Sequence, residues 1–380
     1  MHAGFLSPSS KVYPGIGFEF MDGLKAFLKK NGIENDLRIT SESIGFGGEE
    51  KAVYFAAEKL LMMEGVDVLV AYVDERVLEM IKPLAYASGK LLIVVNPGAN
   101  YPVNWVPQEN VIHLTLLQSF LCWLNGADAA AQSGDGGTSS TFYDCGYLHA
   151  AAMMNSFIQH GSKILFNDVN NQVYNDQYTI SNLLAKMDGY PDGDTLLCVS
   201  DALPATMLYQ QMAAANRASR LFVSPMMLQP AALESIPAES EFTIQGYQSW
   251  FASAETPANT AFKEAYAQRS KKQPTIFSLL GWETGMILHH LFTALPDTYT
   301  EGAEVAKALK DVTLDSPRGE LKLDLETLYY ISPVHQLSVS HGEEKRKTLT
   351  PDEYAAEWKA FTSRVTSGAV SGWTNTYLCY

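Results

Sequence analysis

Two runs constrain the fold more than anything else in the chain. VDVLVAYV (Val66–Val73) and KLLIVVN (Lys90–Asn96) are apolar almost without interruption. A strand with one wet face alternates, so strands this apolar are covered on both faces. Between them lies DERVLEMIKPLAYASG, whose apolar spacing is that of an amphipathic helix. Strand, helix and strand in this order make a parallel sheet with helices on both sides. The same alternation begins at HAGFLSP, continues through GFEFMDGLKAFLKKNG, DLRITSESI and GGEEKAVYFAAEKLLMMEG, and ends that first run at Asn96.

A second run follows. GGTSSTFYD, KILFNDV, DTLLCVS and RLFVSP read as strands; CGYLHAAAMMNSFIQHG, DQYTISNLLAKMDGY and ALPATMLYQQMAAAN read as helices between them. The overlapping stretch AAQSGDGGTSS is polar and reads as an exposed loop. After FTIQGYQSW come two helical stretches, PANTAFKEAYAQRSKK and TIFSLLGWETGMILHHLFTAL. SPRGELKLDLETLYYISPVHQLSVS then reads as a hairpin with a long turn. With 380 residues, two α/β units of this kind fit the length.

Composition removes several classes of function. The net charge of −15 opposes nucleic-acid binding, which needs basic stripes that release counterions. No run approaches the ~20 apolar residues of a membrane span. Cys122, Cys145, Cys198 and Cys379 stand far apart without metal-ligand spacing, so no metal or cofactor is expected. GFGGEEK lacks the ending of a phosphate loop, His289–His290 do not share a helix face, and no nucleophile elbow is present. The expectation is a protein that is not an enzyme.

Ligands of open parallel sheets sit outside the carboxyl ends of the strands. Here those ends carry Ser7–Tyr13, Tyr72–Arg76 and Asn96–Asn100. The last is NPGAN, a core strand stopping on small polar residues. Asn96 and Asn100 read either as turn residues bonding their own backbone or as ligand contacts. Asp74 and Glu75 read either as first-turn helix acids or as ligand contacts. Asp201 reads equally as the N-cap of the helix near Pro204.

In order and spacing, these segments resemble the leucine/isoleucine/valine-binding family of the type I periplasmic binding-protein fold. The likeness rests on GFLSPSSKVYPGIGFEFMDGLKAF, NPGAN, YDCGYLHAAAMMNSFIQHG and SPRGELKLD. It implies an α/β protein of two lobes, each a mostly parallel sheet flanked by helices, joined by three crossovers near Leu116–Gln118, Gly246–Gln248 and Leu328–Ile331. One lobe then comprises 1–117 plus 248–327, the other 118–247 plus 328–380. The family's ligand contacts carry over to Asp74, Glu75, Asn96, Gly98, Asn100, Tyr147, Asp201 and Phe277; its first-loop tyrosine falls near Ile16, with Tyr13 as the candidate substitute. The family's ammonium-binding acid corresponds to a position near Met226, so Asp74 or Asp201 becomes the candidate replacement. The function implied is an extracytoplasmic receptor of an ABC-type transporter, with a small polar solute and the transporter permease as partners. It would be periplasmic or membrane-tethered, and MHAGFLSPSS reads as a strand and its loop rather than a leader. The alternative is a sensory or protein-interaction module of the envelope on the same fold.

Overall fold

The computed structural model describes residues 1–11, 13–73, 75–141, 147–170, 178–190, 194–294 and 302–364; the side chains of Arg76, Tyr147, Ala202 and Ala306 are not described. The chain opens with β1 (His2–Ser7), α1 (Ile16–Lys30), β2 (Arg38–Ser43), α2 (Glu50–Glu58), β3 (Val68–Ala71), α3 (Glu75–Ala87), β4 (Leu91–Asn96) and β5 (Val111–Thr115). These five strands form one parallel sheet in the order β2-β1-β3-β4-β5. Strands β3, β4 and β5 are buried along their whole length, as their apolar runs require. One face of β3 and β4 packs Val70, Ile93 and Val95 into the main core. The other packs Leu69, Leu92 and Val94 beneath α2 and α3.

The next elements are α4 (Gln118–Ser133), β6 (Gly136–Thr141), α5 (Tyr147–Gln159), β7 (Ile164–Asn170), α6 (Ser181–Asp188), β8 (Thr195–Val199), α7 (Ala202–Ala214), β9 (Arg220–Val223), α8 (Pro230–Leu233) and β10 (Thr243–Gln248). AAQSGDGGTSS is therefore not an exposed loop. Its first residues close α4 and its last build β6, with Gly136, Gly137, Thr138 and Ser139 buried. The small side chains that look like loop punctuation are there because neighbours come close: a Cβ on Gly137 would lie 2.2 Å from the Phe166 ring.

The chain then adds α9 (Pro257–Ser270), α10 (Ile276–Ala294), α11 (Gly302–Leu309), β11 (Thr313–Ser316), β12 (Gly319–Leu323), β13 (Tyr330–Ile331), β14 (Val334–Ser340), β15 (Glu343–Leu349) and α12 (Pro351–Thr362). The expected hairpin with a long turn is resolved into two separate pairings. β11 and β12 form a tight antiparallel hairpin with β13 beside it, whereas β14 joins the second sheet, ordered β15-β14-β10-β9-β8-β6-β7. In that sheet β14 and β15 are antiparallel to their neighbours and the other pairings are parallel.

Helix α10 lies on α1 at very short range. A Cβ on Gly281 would come within 1.9 Å of the Phe20 carbonyl oxygen. Residues 257–294 thus return to the first sheet's side after the chain has visited the second. Among the described residues no helix is long and apolar enough to cross a membrane. Cys122 and Cys198 are buried free thiols whose ionisation burial opposes; Cys145 and Cys379 lie outside the described residues.

Candidate functional site

The chain runs three times between the two sheets, and NPGAN is bolted to the first passage. Asn96 is buried and its amide is fully engaged. Its Nδ2 donates to the Val73 carbonyl at 2.8 Å, and its Oδ1 accepts the Gly98 backbone N–H at 2.7 Å. The Gly98 carbonyl accepts from the Ser119 N–H at 2.8 Å and the Pro97 carbonyl from that of Gln118 at 3.2 Å. The Ser119 hydroxyl donates to the Ala99 carbonyl.

Gly98 has φ +77°, and a Cβ there would lie 2.6 Å from the Leu117 nitrogen. A side chain at this position would therefore meet the crossover backbone. Glycine is required because the loop touches the crossover backbone, in a conformation that other residues adopt only with strain. Leu117 itself is left-handed, φ 54°, as is Leu328 near the third passage, φ 58°. A branched side chain in this region is strained by about 1–2 kcal/mol, so both sites are held by their surroundings.

Asn100 differs from Asn96. It is half-buried, and among the described residues no donor reaches its enclosed Oδ1. It lines a cavity of about 790 Å³ together with Glu75, Glu79, Lys82 and Tyr101, and Leu148 of α5 contributes to the wall. Glu75 is the first residue of α3, where a carboxylate suits the helix dipole. It also accepts a hydrogen bond from the Tyr329 hydroxyl at 2.7 Å. The Tyr329 ring stacks on His113 with centroids 4.1 Å apart, and His113 Nδ1 lies 3.5 Å from Glu75 Oε1. Burial, helped by the Lys82 charge, lowers the His113 pKa to about 3 and keeps the imidazole neutral at pH 7. Lys82 is held by Glu79 at 2.6 Å.

A second cavity, about 620 Å³, holds Tyr13 and Phe277, whose rings meet edge to face at 5.7 Å. Leu116 and Gln118 of the first passage, Leu228 beside β9 and Gln248 at the end of β10 complete its wall. The sequence reading missed Gln118, Gln248 and Trp250 here. Their signal is positional, since each sits at or beside a passage between sheets. Glu19 and Arg346 also border this cavity with their charges engaged. Glu19 accepts from Thr275 at 2.7 Å, and Arg346 pairs with Glu344 and lies over the Phe251 ring at 4.1 Å.

Structure thus brings Tyr13 to Phe277 and Glu75 to Asn100, while Asn96 and Gly98 sit behind the rim. Asp201 occupies the N-cap position of α7 and is buried, yet its side chain makes no capping hydrogen bond. Asp74 lies outside the described residues. Tyr147 begins α5, but its side chain lies outside them too. Met226, where an acid was the family expectation, is fully buried. Among the described residues no cluster of metal-ligating side chains occurs.

Comparisons with known proteins agree with this geometry. A family model described as periplasmic binding protein matches residues 3–341. No curated protein sequence matches. Among solved structures, an ABC-transporter solute-binding protein from R. palustris in complex with benzoate has a TM-score of 0.71 at 18% identity, covering 93% of this chain and 98% of its own. A substrate-binding protein from Sphaerobacter thermophilus has 0.74 at 15%, covering 92% and 98%. The isoleucine-bound branched-chain amino acid transporter protein LivJ from Streptococcus pneumoniae has 0.67 at 12%, covering 92% and 99%. With two mostly parallel sheets, three passages between them and a family match over nearly the whole chain, this protein belongs to the periplasmic binding protein family.

Proposed function

We propose that the protein is an extracytoplasmic receptor that holds one small solute between its two lobes and delivers it to the permease of an ABC-type transporter. The observation that carries this reading is the 620 Å³ cavity, whose wall combines Tyr13 and Phe277 with Leu228 and Gln248 from the second sheet's side. A volume of that size suits a small organic molecule held by a few polar groups. The lobes in this reading are 1–117 plus 248–327 and 118–247 plus 328–380, and closure about the passages is the working motion. The reading takes the 620 and 790 Å³ cavities as parts of one cleft between the lobes: Tyr13 with Phe277 supplies an aromatic wall in the first, and Asn100 a hydrogen-bond acceptor in the second. Asp74 and Glu75 stay candidate contacts from the loop after β3, and Tyr147 and Asp201 from the second lobe. The reading assigns binding without bond chemistry and no catalytic residue. The solutes named with similar structures, benzoate and isoleucine, belong to those proteins, and for this chain they define the screen.

A solute that prefers the closed state stabilises it by about 2.7 kcal/mol at a hundredfold excess over its dissociation constant. A thermal-shift screen of ligand-free protein against amino acids, aromatic acids, short amides, polyamines and sugars is expected to give at least one clear rise in melting temperature. Silence across the screen would favour an envelope interaction module instead.

A further inference from the structure

The family model matches residues 3–341, and helix α12 lies beyond them at Pro351–Thr362. Its start is fixed by Pro351 at the first helical position and by a capping box between Thr350 and Glu353. Tyr354, Trp358 and Phe361 follow at i, i+4 and i+7, which puts three large rings on one buried stripe. The neighbours of that stripe come from both sides of the junction between the sheets.

On the second sheet's side, Glu357 accepts from the Trp123 indole N–H at 2.7 Å and lies 3.1 Å from His160 Nε2. One carboxylate thus ties α12 to both α4 and α5. Phe120 of α4 meets the Trp358 ring edge to face at 5.0 Å. On the first sheet's side, Trp358 donates its indole N–H to Asp324 Oδ2 at 3.0 Å, just after β12. Trp105, in the connection from β4 to β5, packs on Trp358 and Phe361, each at 5.6 Å between ring centroids. Tyr101 of the same connection meets Phe361 at 4.9 Å. The gap left among these rings is about 10 Å³. Asn100 and Tyr101 border both this gap and the 790 Å³ cavity, so α12 crosses the junction on the cleft's side.

We propose that α12 is a strap across the lobe junction that restrains opening of the cleft; this rests on the two-lobe receptor reading above. In that reading Tyr101, Trp105 and Asp324 belong to the first lobe, whereas Phe120, Trp123, His160 and α12 itself belong to the second. Contacts on the cleft's side of a hinge are drawn apart when the cleft opens. Opening therefore pulls Trp358 from Asp324 and Trp105, leaving an indole N–H without its acceptor and apolar rings facing water. Each aromatic pair given up shifts the open–closed ratio by roughly two- to tenfold towards closed. The strap does this without touching the solute. It sets the fraction of protein already closed before the solute arrives, and apparent affinity scales with that fraction. Trp105 and Trp358 are thus positioning residues.

The test is small-angle X-ray scattering of the whole, ligand-free protein. Trp105→Ala removes the first lobe's side of the contact and is expected to raise the radius of gyration and lengthen the maximum dimension. Trp358→Phe keeps a ring on the stripe but loses the indole N–H that reaches Asp324. It should change the scattering in the same direction by less, and it serves if the first variant folds poorly. A loss of local packing alone would leave the lobes at their wild-type separation. Folded variants whose curves superimpose on wild type, or whose radius falls, overturn the proposal. The thermal-shift screen judges the receptor reading independently. A compound that stabilises the protein while both variants scatter as wild type removes the strap and keeps the receptor.

Discussion

The two sheets come from the same strand–helix alternation and fill their carboxyl ends in opposite ways. In the first, β3 to β5 carry branched apolar residues into both cores, and the polar groups at the strand ends, Asn100 apart, are tied down. Asn96 spans Val73 and Gly98, Glu75 holds Tyr329, and His113 lies flat against the same ring. In the second, β6 carries hydroxyls and glycines and leaves a gap under α5. The first end is a committed platform that fixes where the passages between lobes start. The second has short side chains where the first has branched ones, with a gap of about 190 Å³ beneath α5.

The largest effect should come from the committed side. Arg318 and Glu283 form a bidentate pair at 2.8 and 3.0 Å with both side chains fully buried, and the Ser316 hydroxyl also donates to Glu283. This pair fastens the β11–β12 turn to α10. Arg318→Met strands the carboxylate and should cost about 3–5 kcal/mol in chemical denaturation. Ser140→Ala on the roomy side should change stability by about 0.5 kcal/mol or less. Similar losses from the two changes would erase the contrast between the sheets.

A smaller effect should appear with pH. His113 is neutral in the folded protein down to about pH 3, whereas in the unfolded chain it takes a proton near its ordinary value of 6.5. The unfolded state therefore binds more protons in that window, and stability falls as pH drops from 6.5 towards 3. The slope from this group is at most about 1.4 kcal/mol per pH unit. Urea melts at a series of pH values should show a shallower decline for His113→Gln than for wild type between pH 6 and 4. Parallel declines would mean that the imbalance arises elsewhere.

How much of this was legible follows from the same contrast. Uninterrupted apolar strands announce a parallel sheet, and NPGAN announces its end. The strand VIHLT went unread because His113 breaks its apolar run, and only the tertiary contacts with Tyr329 and Glu75 explain a histidine there. Helix α4 went unread because residues 118–126 are all buried, so no polar face marks its period. The two asparagines of NPGAN are the same residue in the same short loop. Their different fates depend on a carbonyl 23 positions away, which local sequence does not show. The cavity under α5 depends on how closely α4 and α5 pack, a fact of three dimensions.

The central claim is that the carboxyl end of the first sheet presents Asn100 to the solute while Asn96 holds the loop in place. The most direct measurement is calorimetric titration of wild type, Asn96→Ala and Asn100→Ala with the solute found by the screen, alongside a melt of each ligand-free protein. Losing a directed hydrogen bond and stranding its partner costs about 1–3 kcal/mol. For Asn100→Ala the account predicts binding weaker by about tenfold or more with an unchanged melting temperature. For Asn96→Ala it predicts a lower melting temperature and nearly wild-type affinity in the folded protein. Unchanged affinity and a lowered melting temperature for Asn100→Ala would contradict it, making the whole loop structural punctuation.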